Sequence, residues 1–333
     1  MKAIIPVAGV GSKLRPHTHT QPKPLMPVAG KPILGHIIDS LLAEGIEQQV
    51  FVLGYLGEKI REYVQTQYGD KLKAEFVVQE PRRGLAHALA LCKDYVADNE
   101  EIIIILGDTI FGKDVHHILK MGANILGVQE VADPRKFGVA VLDEPKTGVL
   151  KVIEKPQIPT SNLALVGLYK IKEVAILFES IAKIMQFPPT DPTDQYLLTD
   201  AIMLMIEQGV AFETYKVENW YDCGSRESLL SSNQILLEKI AVFPEYPFEH
   251  TVILPPVYIA PNCNIRNSII GPYVAIAENT QISNSIIRNS IIGAYSQLET
   301  IILNNSVLGN DTTLKGKAHS VNIGDSTEID FDE

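Results

Sequence analysis

Ala3-Ile4-Ile5-Pro6-Val7-Ala8-Gly9-Val10-Gly11-Ser12-Lys13-Leu14-Arg15-Pro16 is an apolar run that breaks into a glycine-rich, cationic turn. The apolar half reads as a buried β-strand. Gly9 and Gly11 have no Cβ to block close approach, so their successive backbone N–H groups can form a nest for phosphate oxygens. Lys13, Arg15 and, a few residues on, Lys23 in Pro22-Lys23-Pro24-Leu25 add cations just beyond it. The dinucleotide fingerprint is excluded, because Leu14 stands where its third glycine belongs. The P-loop order is also wrong, since Gly11 is followed by Ser12-Lys13. A polyphosphate-binding loop at the tip of the first strand is the reading the remaining sequence has to fit.

Working outward, Phe51-Val52-Leu53, Phe76-Val77-Val78 and Ile102-Ile103-Ile104-Ile105-Leu106 are continuous apolar runs suited to central parallel strands buried on both faces. Amphipathic stretches at 33–45, 57–68 and 84–97 lie between them. Repeated strand–helix alternation predicts right-handed crossovers and a doubly wound, mostly parallel α/β sheet. Ligands of such sheets bind beyond the carboxyl ends of the strands, where the Gly9–Lys13 loop and Gly107-Asp108 both fall. Segments 124–130, 138–142, 149–153 and 165–170 read as further strands that build a second wall of that crevice. Helices are predicted at 173–185, 194–208 and after Ser225.

The texture changes after about 250. Asn-Ser-Ile-Ile occurs at 267–270, 284–287 and 289–292, with Asn305-Ser306-Val307-Leu308 as a variant, and isoleucines recur six residues apart. That period points to a parallel β-helix of hexapeptide repeats, with roughly four coils of about eighteen residues. Two domains are therefore expected, a nucleotide-handling domain over 1–240 and a small β-helix over 250–330.

Composition narrows the function. The 333 residues are 46 % apolar and 21 % charged, with a net charge of −11, which argues against nucleic acid or an anionic membrane as partner. No run approaches the ~20 apolar residues of a membrane span. Cys92, Cys223 and Cys263 are far apart and form neither a zinc pattern nor a disulfide framework, so a reducing, cytoplasmic location is the expectation.

The motifs together resemble the sugar-1-phosphate nucleotidylyltransferases, whose pattern G-x-G-T-R-L-x-P-x-T followed by P-K is matched by Gly9 through Thr18 and Pro22-Lys23. The match continues at Gln79-Glu80-Pro81-Arg82-Arg83-Gly84-Leu85-Ala86-His87-Ala88, Leu106-Gly107-Asp108, Phe137-Gly138-Val139, Glu154-Lys155-Pro156, Ser161-Asn162-Leu163-Ala164, Val166-Gly167-Leu168-Tyr169 and Trp220-Tyr221-Asp222-Cys223-Gly224-Ser225. It spans nearly the whole chain and is nearest to the long form of glucose-1-phosphate thymidylyltransferase. By resemblance to hexapeptide-repeat proteins, the β-helix is left-handed.

The resemblance implies attack by the phosphate of a sugar 1-phosphate on the α-phosphorus of a nucleoside triphosphate. It assigns nucleotide contacts to Ala8, Gly9, Gly11, Ser12, Lys13, Lys23, Gln79, Gly84 and Asp108. Sugar-phosphate contacts fall to Gly138, Glu154, Lys155 and Leu165, and Mg²⁺ ligation to Asp108 and Asp222. The catalytic cations are Lys13, Lys23 and Lys155. No general base is needed, because the attacking phosphate is already largely dianionic; positioning and electrostatic stabilisation should dominate. Lys13 departs from the family, which has arginine there, and lysine does not reproduce the bidentate fork. Lower activity, or a catalytically weak regulatory subunit of the same fold, is the corresponding alternative. Thymine and uracil stay open as the base, and dTTP with glucose 1-phosphate is the first expectation. The β-helix suggests a homo-oligomer.

Overall fold

The computed structural model describes residues 1–144, 148–187, 195–239, 248–316, 318–319 and 321–330. Contacts divide the chain into two compact units that do not follow chain order. Met1–Gly9 and Ile37–Trp220 make the first, Val10–His36 and Tyr221–Glu333 the second.

The first unit is built on one sheet. Its parallel half comprises β1 (Lys2–Pro6), β2 (Gln48–Leu53), β3 (Lys73–Val78) and β4 (Ile102–Ile105) in the order β4-β1-β2-β3. Ile4, Ile5, Phe51, Val52 and Ile102–Ile104 are fully buried, as expected of central strands. Phe76–Val78 is a correction, because β3 is the edge strand and Val78 is 54 % exposed. There the Arg61 guanidinium lies over the Phe76 ring at 4.8 Å and covers part of the edge.

Helices α1 (Ile33–Ala43) and α2 (Gly57–Tyr68) form as predicted. The stretch 84–97 does not form one helix. It gives α3 (Leu85–Ala90) and then a separate 3₁₀ turn, Lys93–Tyr95. Helix α4 (Asp114–Lys120) precedes β5 (Asn124–Glu130), β6 (Gly138–Leu142), β7 (Val149–Glu154) and β8 (Leu163–Ile171). These do not make a separate wall. Strand β8 pairs antiparallel with β4 and carries β5 and β6, so they extend the same sheet. Helices α5 (Val174–Met185) and α6 (Leu198–Glu207) and strand β9 (Phe212–Lys216), parallel to β5, complete it.

The second unit contains α7 (Arg226–Glu238) and three parallel sheets of five short strands each. This is a three-sided parallel β-helix, with the isoleucines and leucines of each coil stacked inside. The coil differs from the eighteen residues expected. Partners lie 17 residues apart in the first coils (Ile253 with Ile270, Tyr258 with Ala275). The step falls to 16 later (Ile286 with Ile302, Leu298 with Leu314) and to 15 at the last (Thr313 with Glu328). Each sheet has five strands, so the stack has more coils than the four expected.

Asn-Ser-Ile-Ile has a physical basis in this geometry. Asn267, Asn284, Asn289 and Asn305 sit at corners with φ of 40–52°, a left-handed conformation that asparagine tolerates better than most residues. The serine that follows turns inward. Ser285 Oγ donates to the Ser283 carbonyl at 2.7 Å and accepts from the Ile301 N–H of the next coil at 3.3 Å. Ser268, Ser290 and Ser306 repeat the device.

Segment Val10–His36 is attached to this unit. Gly30 (φ +83) leaves so little room that a Cβ would come within 2.4 Å of the Tyr258 ring. The Ala29 N–H donates to Asn233 Oδ1 of α7 at 2.8 Å. His17 Nε2 bonds Asn322 Oδ1, and the Thr20 hydroxyl bonds Asp325.

Candidate active site

In the first unit, the carboxyl edge of the parallel half gathers several of the expected residues. Strand β4 ends in Leu106-Gly107-Asp108 and β1 in Val7-Ala8-Gly9; β2 continues into Gly54-Tyr55, and β3 into Gln79. The ends are tied together by backbone bonds: Gly107 N–H to Pro6 O (3.3 Å), Tyr55 N–H to Ala8 O (3.2 Å) and Gln79 N–H to Leu53 O (2.8 Å). Glycines permit this proximity, since a Cβ at Gly107 would lie 2.4 Å from Val7 Cγ1 and one at Gly54 2.6 Å from Ala8 O. Along the edge the order is Asp108, Ala8-Gly9, Gly54-Tyr55, Gln79. Three strand spacings of ~4.8 Å make this a row of roughly 14 Å. That is about the reach of a nucleoside triphosphate from base to polyphosphate.

Gln79 is buried, and its Nε2 donates to the Gly84 carbonyl at 2.8 Å and meets His87 Nδ1 at 3.1 Å. Burial lowers the His87 pKa, with Arg83 adding to the effect, so the imidazole is neutral near pH 7 and can accept. Gly84 has φ +99, and the backbone of Tyr196 closes over it: Tyr196 N–H donates to Arg83 O at 2.8 Å, and Ala86 N–H donates to Tyr196 O at 3.0 Å. Tyr55 and Tyr196 stand outside the sequence motifs, and His87 stands within one that assigns it no role.

A second cluster in the same unit holds the expected sugar-phosphate residues. Glu154 at the end of β7 pairs directly with Gly138 at the start of β6. A Cβ on Gly138 would lie 3.0 Å from Leu165 Cδ1, 3.1 Å from Glu154 Oε2 and 3.1 Å from Thr199 Cγ2, so the absent side chain lets these three groups close in on the strand. Thr199 Oγ1 donates to Glu154 Oε2 at 3.3 Å, a contact that the motifs did not reveal. Lys155 has φ +40, unusual outside glycine, while its N–H donates to Phe137 O at 3.0 Å and its Nζ lies 3.5 Å from Glu154 Oε1. The Phe137 ring meets Trp220 edge-on at 5.7 Å.

Val166-Gly167-Leu168-Tyr169 acts on geometry. The β8–β5 register shifts between Leu165 and Tyr169, and Gly167 (φ +86) accepts the Leu106 N–H at 2.9 Å. This bulge bears directly on the residues leading to Asp108. Burial, then the charges of Glu154 and Asp108, raise the Tyr169 pKa, so its phenol stays protonated. Cys92 is no nucleophile, because burial pushes its thiol up to about 12.

In the second unit, Gly11 (φ +68) caps the 3₁₀ turn Ser12–Leu14, whose first N–H groups have no partner within the turn. A Cβ on Gly11 would sit 2.8 Å from Lys23 Cβ, and Thr18 Oγ1 bonds Gly11 O at 3.0 Å. Gly11, Ser12, Lys13 and Lys23 are thus brought together, with Lys13 exposed and Lys23 half-buried. Asp222 Oδ1 accepts the Gly224 N–H at 2.9 Å, and its carbonyl accepts the Ser232 hydroxyl at 2.8 Å. The next residue but two, Ser225, forms the capping box of α7 with Ser228. The Asp222 carboxylate is therefore fixed in orientation.

Asp108 belongs to the first unit and Asp222 to the second. Among the described residues, no group of three or more His, Cys, Asp or Glu side chains is arranged to hold a metal. A pair of aspartates fits an ion that takes one or two carboxylates and completes its shell with water and phosphate oxygens.

A family model described as nucleotidyl transferase matches residues 2–239. The chain belongs to the nucleotidyl transferase family. It is 36 % identical over 251 residues to the low-salt glycan biosynthesis nucleotidyltransferase Agl11 of Haloferax volcanii, covering 72 % of this chain and 66 % of that protein. It is 30 % identical over 247 residues to the UTP–glucose-1-phosphate uridylyltransferase AglF of the same organism, covering 72 % and 98 %. Among solved structures, a Bacillus anthracis protein described as a glucose-1-phosphate thymidylyltransferase superposes with a TM-score of 0.60 at 27 % identity, over 74 % of this chain and 98 % of that one. The chain spans 55–66 % of the length of the first curated relatives it matches. The matched range contains both the glycine-rich turn and the carboxyl edge of the sheet. Among the described residues, no helix is long and apolar enough to cross a membrane.

Proposed function

We propose that this nucleotidyl transferase joins a nucleoside triphosphate to a sugar 1-phosphate, releasing pyrophosphate and an NDP-sugar, with dTTP and glucose 1-phosphate as its preferred pair. UTP is the next donor. The row Asp108, Ala8-Gly9, Gly54-Tyr55, Gln79 along one sheet edge carries this reading, because its length suits a nucleotide laid across the strand ends. The cluster around Glu154 and Gly138 supports it by offering a carboxylate for sugar hydroxyls and the Lys155 ammonium for the sugar phosphate.

In this reading Gln79 reads the pyrimidine edge, using the amide oxygen while its nitrogen holds Gly84. Gly11, Ser12 and Lys13 receive the β- and γ-phosphates, and Lys23 faces the α-phosphate. Lys155 orients the attacking oxygen, and Tyr169 stays a neutral donor near the two carboxylates. Asp108 and Asp222 would hold Mg²⁺, which when bound neutralises phosphate charge as the leaving group departs.

The test is pyrophosphate release across a matrix of nucleoside triphosphates and sugar 1-phosphates, with and without EDTA. Release should be highest with dTTP and glucose 1-phosphate, should stop with EDTA, and should vanish in both Asp108→Ala and Asp222→Ala. Full turnover in either variant would refute the metal assignment.

Lys13, where the resembled family carries arginine, motivates a second reading, a regulatory subunit of low intrinsic activity. Lys13→Arg separates the two. A large gain over a nearly silent wild type supports the subunit; an already active wild type removes it.

A further inference from the structure

The Gln79 amide is held in one sense only. Its side chain is 5 % exposed and follows β3, whose end is fixed by the Gln79 N–H bond to Leu53 O at 2.8 Å. Nε2 carries two hydrogens and faces two acceptors, Gly84 O at 2.8 Å and His87 Nδ1 at 3.1 Å. The Gly84 carbonyl also accepts the Ala88 N–H at 3.1 Å and has nothing to donate. It has no room to swing away, because a Cβ on Gly84 would lie 2.5 Å from Tyr196 O. Turning the amide over would set Oε1 against this carbonyl oxygen, two acceptors meeting in a buried place.

His87 closes the same alternative from the other side. Burial and then Arg83 keep its imidazole neutral, so Nδ1 accepts and Nε2 bears the proton. Gly84 and His87 stand at the N-cap and in the first turn of α3, which sets both acceptors in one frame. Oε1 is left over. Among the described residues nothing donates to it, and unlike Trp220 Nε1 it is not sealed from solvent.

We propose that His87 is a positioning residue for base recognition: with Gly84 it holds the Gln79 amide so that only Oε1 meets the base, and the site admits bases that offer a ring N–H. This rests on reading Gln79 as the base contact. Thymine and uracil both offer N3–H. Cytosine offers a bare N3, which leaves two acceptors face to face, and a site built around a donor rejects a ligand that lacks it. The exocyclic amine of cytosine reaches Oε1 only if the base slides along the sheet edge, which draws its phosphates away from Ala8-Gly9. The lock sets the class of base and is indifferent to the thymine methyl.

Calorimetric binding of dTTP and dCTP to the full chain reads the lock directly. The wild type should prefer dTTP by about tenfold or more. His87→Leu and, independently, His87→Ala remove one of the two amide acceptors. Each should cut that preference about three- to tenfold, the worth of one hydrogen bond. His87→Asn, whose Oδ1 stands where Nδ1 stood, should restore it, and the KM for glucose 1-phosphate should hold throughout. Adding His87→Leu to Gln79→Ala should change the preference no further, whereas a residue that only packs α3 would still weaken both nucleotides. If Gln79→Ala keeps the wild-type preference, the base contact is overturned and the lock with it. If Gln79→Ala loses the preference while His87→Leu and His87→Ala keep it, the lock alone is overturned. Equal weakening of dTTP and dCTP by the two His87 variants, or no rescue by His87→Asn, also overturns the lock.

Discussion

Gly11 illustrates how much the turn depends on one missing carbon. Its φ of +68 and the 2.8 Å approach of Lys23 Cβ both forbid a side chain. Gly11→Ala should cost about 1–3 kcal/mol in stability, the cost of holding a non-glycine residue in such a conformation. Lys23 would be displaced, so the triphosphate KM should rise while the sugar-phosphate KM holds. Chemical denaturation and steady-state kinetics read the two effects separately. His17 makes a different prediction. Its folded pKa lies below its unfolded value, so the unfolded chain binds the extra proton first. The stability it contributes is complete above about pH 6.5 and is lost as pH falls from there toward the folded pKa. His17→Gln should flatten the fall in melting temperature over that window, and an unchanged slope would refute the assignment.

At the level of elements, the sequence was legible where one periodicity dominated. Ile102–Ile105, Asn124–Glu130 and Gly57–Tyr68 formed as read because pattern and environment agree. The sheet position of Phe76–Val78 was not legible, since an apolar run cannot tell a central strand from an edge covered by an arginine. Residues 84–97 read as one helix, but the chain turns at Leu91-Cys92 and resumes as a 3₁₀ turn. The six-residue spacing found the β-helix yet overstated its coil, because corners vary in length while the inward residue recurs. The candidate site was read from glycines and charged residues that stand in local motifs. Thr199, Tyr55 and Tyr196 were not, because contacts from distant elements leave no local pattern. The serine ladder supports a prediction at this scale. Ser285 is 1 % exposed and links three coils. Ser285→Ala would strand the buried Ile301 N–H and should destabilise the chain by ~1–3 kcal/mol. Thermal melting checks it, and an effect under a few tenths would mean the ladder is incidental.

For the molecule as a whole, chain order and compact units part company, and the proposed phosphate and metal residues are drawn from both. Val10–His36 leaves the sheet to join the β-helix unit, and the chain then returns to the sheet. The unit that holds the β-helix consequently also holds the glycine-rich turn proposed here to bind phosphate. One of its flanks also bears on assembly. Val252, Ile269, Ile286 and Ile302 occupy equivalent outward positions on four successive strands of one sheet, with Val252 53 % and Ile302 48 % exposed. An aligned apolar stripe of this kind is unusual on an isolated protein and suits burial against a second copy carrying the same stripe. Ile302→Lys places a charge at the exposed end of the stripe without touching the inward-facing Leu303, so the coil should stay folded. Light scattering should then report a smaller species than the wild type, with an unaltered circular dichroism spectrum. If the wild type is already monomeric at micromolar concentration, or if Ile302→Lys assembles equally well, the stripe is not the contact.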